Sequence, residues 1–145
     1  MNKVIFLGSD HAGYELKMQL VPLLEEAGYT IHDKGTHSEE RCDYPDYAHA
    51  VAQGIKETKD AIGLLVCGSG NGISIAANKH EHIRAALCWN RELGELARAH
   101  NNANVLSLPA RFIDVETAKD ILKGFINTNF EGGRHEKRVE KISAC

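Results

Sequence analysis

Five short runs of β-branched and apolar residues, each followed by a longer stretch with other periodicity, constrain this chain more than any other feature. Val4–Leu7, Thr30–Asp33, Ala61–Val66, Ala85–Cys88 and Val105–Leu108 read as strands. Between the first two, Tyr14–Ala27 places Leu16, Leu20, Leu23 and Leu24 at helical spacing ahead of Gly28, a residue suited to stopping a helix. Asp46–Glu57 repeats Ala48, Val51, Ala52 and Ile55 in the same manner. Further helices are predicted at Arg91–His100 and at Val115–Thr128, the second behind Asp114 as N-cap. Alternation of this kind builds repeated βα units around a parallel sheet. At 145 residues the chain has room for one domain, 1–145, with a sizeable core and little for a second.

Composition removes several classes of function. Apolar residues make up 43% and charged residues 26%, and the formal charge of -3 carries no nucleic-acid signature. Met1-Asn2-Lys3 precedes only a five-residue run, Val4 to Gly8, before Ser9-Asp10-His11 interrupts it. That is neither a signal peptide nor a membrane span, so a cytoplasmic protein without nucleic-acid or membrane partners is expected. Cys42, Cys67, Cys88 and Cys145 lie far apart with no Cys-x-x-Cys pair, which argues against a zinc knuckle or a redox dithiol. In a reducing compartment they are free thiols.

In a sheet of this kind ligands gather at the carboxyl ends of the strands. Strand one runs into Gly8-Ser9-Asp10-His11, strand three into Cys67-Gly68-Ser69 and strand five into Pro109-Ala110-Arg111, so acid, imidazole, thiol, hydroxyl and guanidinium are expected at one crevice. The richest segment is Cys67-Gly68-Ser69-Gly70-Asn71-Gly72, where an apolar strand delivers a thiol to a turn whose glycines let backbone N–H groups approach an anion. A helix beginning near Ile73 and reaching Asn78 would add a partial positive charge that favours a thiolate. A cysteine after a strand is commonly just a small core hydrophobe, and glycines there commonly serve close packing. Here thiol, hydroxyl and alternating glycines coincide, which favours chemistry. Ile73 stands where a dinucleotide fingerprint needs glycine and where a cysteine phosphatase needs arginine, and no Gly-Lys-Ser/Thr is present. Proton chemistry on a small anion survives this sieve.

Lys34 to Pro45 is polar and without period, and is predicted to be a surface loop. The tail 132–145 is basic at Arg134, His135, Lys137, Arg138 and Lys141, with Val139 and Ile142 as its aliphatic pair. Such a tail is expected to dock on a partner subunit.

Taken together, Gly8-Ser9-Asp10-His11-Ala12-Gly13, Asp43-Tyr44-Pro45, Cys67-Gly68-Ser69-Gly70-Asn71-Gly72, His100-Asn101, Asn104-Val105 and Glu131-Gly132-Gly133-Arg134-His135 resemble the type B ribose-5-phosphate isomerases. The resemblance runs in order from the first strand to the tail. It implies a three-layer α/β/α Rossmann-like sandwich with a five-stranded parallel sheet. It also implies a homodimer, in some members a tetramer, with active sites shared between subunits and with no metal or organic cofactor. The implied reaction interconverts ribose 5-phosphate and ribulose 5-phosphate through an enediolate.

By that resemblance Cys67 is the base that takes the C2 proton, and Ser69 with the N–H groups of Gly68, Gly70, Asn71 and Gly72 steadies the enediolate oxygen. His100 opens the furanose ring, acid–base work that suits an imidazole. Arg111, Arg134 and Arg138 match the basic positions around the phosphate, and Arg134 and Arg138 are four apart, hence on one helical face. Asp10 matches a residue gripping sugar hydroxyls, His11 lies nearer the phosphate, Asn101 matches a substrate-binding asparagine, and Asp43 and Tyr44 line the entrance. Without the resemblance, His100 reads as the polar end of a surface helix and the tail arginines as a solvated face. His80 and His82 form a His-x-His pair without a clustered carboxylate or cysteine, so they are assigned to solvent, as are His32, His37 and His49. Two rivals stay open: an isomerase of a six-carbon phosphosugar such as allose 6-phosphate or galactose 6-phosphate, and a non-catalytic phosphosugar-binding or thiol redox-sensing protein.

Overall fold

Strand residues alternate between two buried faces, and that alternation sets the layers. A computed structural model describes residues 3–145; Met1 and Asn2, part of the segment read above as no leader, lie outside the described residues. The strands are β1 (Val4–Ser9), β2 (Thr30–Asp33), β3 (Ile62–Cys67), β4 (Ala85–Leu87) and β5 (Val105–Pro109). They pair in parallel, in the order β2-β1-β3-β5-β4. Ile5, Leu7, Leu64, Val66, Leu106 and Leu108 face one side and Phe6, Leu65, Cys67 and Val105 the other. The first side is covered by α1 (Tyr14–Glu26), α4 (Arg91–Asn101) and α5 (Val115–Ile126), through Leu16, Leu20, Leu24, Ala97, Ile121 and Phe125. The second is covered by α2 (Tyr44–Glu57) and α3 (Asn71–Ala77), through Ala48, Val51, Ala52, Ile55, Ile73 and Ala77. This is the α/β/α sandwich on a five-stranded parallel sheet that the resemblance implied. No helix among the described residues is long and apolar enough to cross a membrane.

Local signals account for most element ends. Gly28 leaves α1 at φ +86°, Asp114 Oδ1 accepts the Thr117 N–H at 2.7 Å, and Asn90 Oδ1 accepts that of Leu93 at 2.9 Å. Three differences from the sequence reading matter for the site. β1, β3 and β5 each run on past the predicted ends, because ladder bonding continues where the apolar pattern stops: Ser9 sits opposite Val66 and Cys67 opposite Pro109. Cys67 is therefore the last strand residue and not the first of the turn. The helix α2 starts at Tyr44 with Pro45 in its first turn, where a missing N–H costs nothing, so the polar loop ends at Asp43. Similarly, α3 starts two residues earlier than expected, at Asn71, and ends at Ala77.

The tail forms a further helix, α6 (Arg134–Lys141), which packs on α4 of its own chain. His135 is 6% exposed there, and Ser143 Oγ donates to the Glu81 carbonyl at 3.3 Å. Part of the tail thus has a home on its own domain, while Ile142 stays exposed.

Candidate active site

The order β2-β1-β3 means that the chain leaves β1 toward one side and returns to pair β3 on the other, which opens a crevice at their carboxyl ends. There the turn after β1 folds flat onto β3. Asp10 N–H donates to the Val66 carbonyl at 3.3 Å, and Asp10 Oδ1 accepts the Gly13 N–H at 3.0 Å. His11 Nδ1 accepts the Cys42 N–H at 3.3 Å, so the loop between β2 and α2 is tied across the same end of the sheet. Asp43, at the N-cap of α2, makes no capping bond.

The Cys67 loop lies beside this turn. Cys67 Sγ accepts the Gly70 N–H at 3.1 Å, and Ser69 Oγ accepts the Asn71 N–H at 3.2 Å. Two of the amides expected to face a ligand are therefore turned into the loop itself, one of them onto the sulfur. The thiol is 4% exposed at the rim of the α2/α3 core, whereas Ser69 and Asn71 are exposed. Arg111 and Tyr44 flank the loop. An ideal Cβ on Gly68 would sit 3.2 Å from Arg111 Nη1, and one on Gly72 would strike the Tyr44 ring. Gly70, at φ +74°, presses against Leu87, carrying the loop over to the β4 edge. Asp10, His11, Cys67, Gly68, Ser69, Gly70, Asn71, Gly72 and Arg111 are thus collected at one end of the sheet. Cys88, by contrast, lies in the opposite core, where burial pushes its thiol up to about 11.

The other predicted residues lie elsewhere. α4 runs back against the strand direction, so His100 and Asn101, at its C-terminal end, come just before β5 begins. Gly63 pairs with Val105 and Cys67 with Pro109, so four strand residues, roughly 13 Å, separate the level of Cys67 from that start. Arg134 and Arg138 belong to α6, on the same end as His100. Here the His100 and His135 rings stack with centroids 4.2 Å apart, and Glu131 Oε1 lies 3.7 Å from His100 Nε2 and 4.0 Å from His135 Nε2. Burial, first, and then the neighbouring His100 and Arg134 hold the His135 imidazole below its ordinary range. A cleft of about 650 Å³ opens nearby, lined by Asn78, Arg84, Asn101 and Ile142. A single chain therefore carries the predicted residues in two groups, at opposite ends of its sheet.

Three features escaped the sequence reading. Lys17 is fully buried, its Nζ donating to Asp33 Oδ1 at 2.7 Å and to the Thr36 carbonyl at 2.6 Å, which anchors the loop behind the crevice. Desolvation holds its ammonium below the usual lysine range. Its place on the Leu16–Leu20–Leu24 stripe was the available signal. His135 was the second: Glu131 stands before α6, beyond Gly132-Gly133, so no helical spacing announced their approach. Thirdly, His49 and His80 pair at the surface, His49 Nδ1 lying 2.6 Å from His80 Nε2, and His82 Nε2 lies 2.7 Å from the Ala52 carbonyl.

Comparison with known proteins places the chain in a family and matches its fold. A family model described as Ribose/Galactose Isomerase matches residues 5–142. Ribose-5-phosphate isomerase B of Escherichia coli is 46% identical over 144 residues, 99% of this chain and 96% of that protein. A protein of Rickettsia bellii described as a putative sugar phosphate isomerase is 47% identical over 138 residues, 95% of this chain and 96% of that one. The crystal structure of a ribose 5-phosphate isomerase from Thermotoga maritima superposes with a TM-score of 0.95 at 48% identity, covering 100% of both chains. A Mycoplasma genitalium ribose-5-phosphate isomerase B, solved with bound ribulose-5-phosphate, gives a TM-score of 0.93 at 40% identity, covering 97% of this chain and 94% of that one.

Proposed function

The chain belongs to the ribose/galactose isomerase family, among the type B ribose-5-phosphate isomerases, and from that premise we propose that it interconverts ribose 5-phosphate and ribulose 5-phosphate with Cys67 as the base. Moving a carbonyl by one carbon requires removal of the C2 proton, support for the enediolate oxygen, and return of a proton to C1. Cys67 takes the first task. The Gly70 N–H donated to its sulfur holds the thiol in place at the loop. The Ser69 hydroxyl and the amides of Gly68 and Gly72 support the enediolate oxygen, since the Gly70 and Asn71 amides are engaged within the loop. Asp10 holds sugar hydroxyls, and His11 and Arg111 take the phosphate end on the same subunit.

The remaining residues come from a second copy. A two-fold axis perpendicular to the strands lays the carboxyl end of one sheet beside the amino end of the other, and it does so twice, because such an interface is self-complementary. His100, which opens the furanose ring, and Asn101, Arg134 and Arg138, which complete the grip on sugar and phosphate, then reach the Cys67 loop of the other chain. The exposed side chains of Ile75 and Trp89, along the edge of β4, offer that interface an apolar strip.

The observation that carries this reading is the thiol of Cys67 under the Gly70 amide, at the sheet end where Asp10, His11 and Arg111 converge. Replacement of Cys67 by Ala is expected to lower kcat by roughly 10² to 10⁴ while substrate affinity stays nearly unchanged. Full turnover by that variant would remove Cys67 as the base. A comparison of kcat/KM on ribose, allose and galactose phosphates tests the substrate, and a clear win for a hexose reassigns it.

A further inference from the structure

Lys17 is the one fully buried cation among the described residues, and the proposed chemistry gives it no task. Burying an ammonium costs several kcal/mol unless it is paired, and an apolar side chain of similar volume in such a place is often neutral or stabilising. The charge therefore points to placement more than to stability. Both of its bonds land on the root of the loop 34–43, Nζ donating to Asp33 Oδ1 at 2.7 Å and to the Thr36 carbonyl at 2.6 Å. That root is also laddered to the end of β1: the Ser9 N–H donates to the Gly35 carbonyl at 2.8 Å and the Thr36 N–H to the Ser9 carbonyl at 2.9 Å. Residues 37–41 are exposed, and at Cys42 the chain returns to donate its N–H to His11 Nδ1 at 3.3 Å. We propose that Lys17 is a positioning residue for His11: by fixing the root of this loop it keeps the Cys42 N–H on His11 Nδ1 and the opposite ring nitrogen, Nε2, presented as a donor to the substrate's phosphate.

A ring nitrogen that accepts an N–H carries no proton of its own, so the neutral His11 imidazole holds its hydrogen on Nε2. The bond also sets the ring's rotation, because a half-turn would swing a carbon–hydrogen edge against the Cys42 amide. Five exposed residues cannot hold Cys42 in place by themselves. What limits them is the clamp at 33–36, where Asp33 Oδ1 also accepts the Gly35 N–H at 2.9 Å and Gly35 is wedged against α2, an ideal Cβ there lying 2.7 Å from the Tyr47 ring. Lys17 joins this clamp to the turn that carries Asp10. Its own N–H donates to the Gly13 carbonyl at 2.9 Å, and the Gly13 N–H donates to Asp10 Oδ1 at 3.0 Å. One side chain thus ties together the supports of Asp10 and His11. The consequence for binding rests on the proposed phosphate role of His11.

The test reads the ring nitrogens of the full chain by nitrogen-15 NMR at a pH where imidazoles are neutral, with His11 assigned through His11→Gln. Wild type is expected to show His11 Nε2 protonated and Nδ1 at the shift of a hydrogen-bonded acceptor. Lys17→Met, which keeps the bulk and removes both bonds, should move the Nδ1 resonance toward that of a free acceptor. Asp33→Ala opens the same bridge from its partly exposed side and serves if Lys17→Met does not fold. Cys42→Pro deletes the N–H itself while leaving the bridge intact, and should move the resonance equally. In all three, KM for ribose 5-phosphate and the inhibition constant of inorganic phosphate should rise about tenfold, the loss of one oriented donor to a charged acceptor, with kcat held within about threefold. A lysine that only supports the fold would lower Tm without moving the His11 resonance. An unmoved resonance in the folded bridge variants, or a protonated Nδ1 in wild type, would overturn the proposal. A moved resonance with unchanged phosphate inhibition would uphold the positioning by Lys17 and reject the phosphate role given to His11.

Discussion

Gly13 has no room for a side chain: an ideal Cβ would lie 2.2 Å from the Val66 carbonyl oxygen and 2.9 Å from Val66 Cβ. Both obstacles are parts of a central strand, so neither can give way cheaply. The close approach is what lays Asp10 on the floor of the crevice. Gly13→Ala is expected to destabilise the protein by about 3 kcal/mol or more, a fall in Tm of roughly 10 °C, and to lower kcat/KM by displacing Asp10. Gly28 is the contrasting case, since its φ of +86° is strained for alanine but open space surrounds it. Its replacement should cost only about 1–2 kcal/mol. Thermal denaturation of the two variants checks the argument, and equal losses would refute it.

Among the elements, α6 is expected to dock in a pH-dependent manner. Its buried residue is His135, held below the ordinary imidazole range by burial first, with His100, Arg134 and Arg138 acting in the same direction and Glu131 against it. A base with a lowered pKa in the docked state binds its proton more readily once undocked. The stabilisation is therefore complete above the ordinary imidazole value of 6.5 and is lost as pH falls through and below it. Amide exchange across 134–141, corrected for intrinsic rates, should show protection at pH 7.5 that weakens at pH 5. Equal protection at both values would mean that His135 does not hold the helix.

At the scale of the whole molecule, the separation of Cys67 from His100 makes a stoichiometric prediction. Cys67→Ala and His100→Ala chains should each be nearly inactive alone. In the proposed dimer, mixing and subunit exchange turn half of the molecules into hybrids, and each hybrid holds one site with both native residues, so about one quarter of wild-type activity should return. No recovery under proven exchange would show that each chain uses its own His100. The same experiment bears on the substrate grip, because Arg134→Ala should complement Cys67→Ala if the tail arginines also act across the interface.

Periodicity alone was sufficient for the layers: the Leu16–Leu20–Leu24 stripe, the Ala48–Val51–Ala52–Ile55 stripe and the β-branched runs could bury their apolar faces only around a parallel sheet. The carboxyl-edge cluster was legible too, because topology places the residues after β1, β3 and β5 together whatever their side chains do. Local sequence could not say that the Gly70 amide turns onto sulfur or that Lys17 is buried with Asp33, since both depend on partners brought in by packing. Nor could it say that α4 carries His100 to the far end of the sheet and stacks it on His135. Side-chain chemistry is written residue by residue, but distance between residues far apart in the chain exists only after the strands have chosen their order.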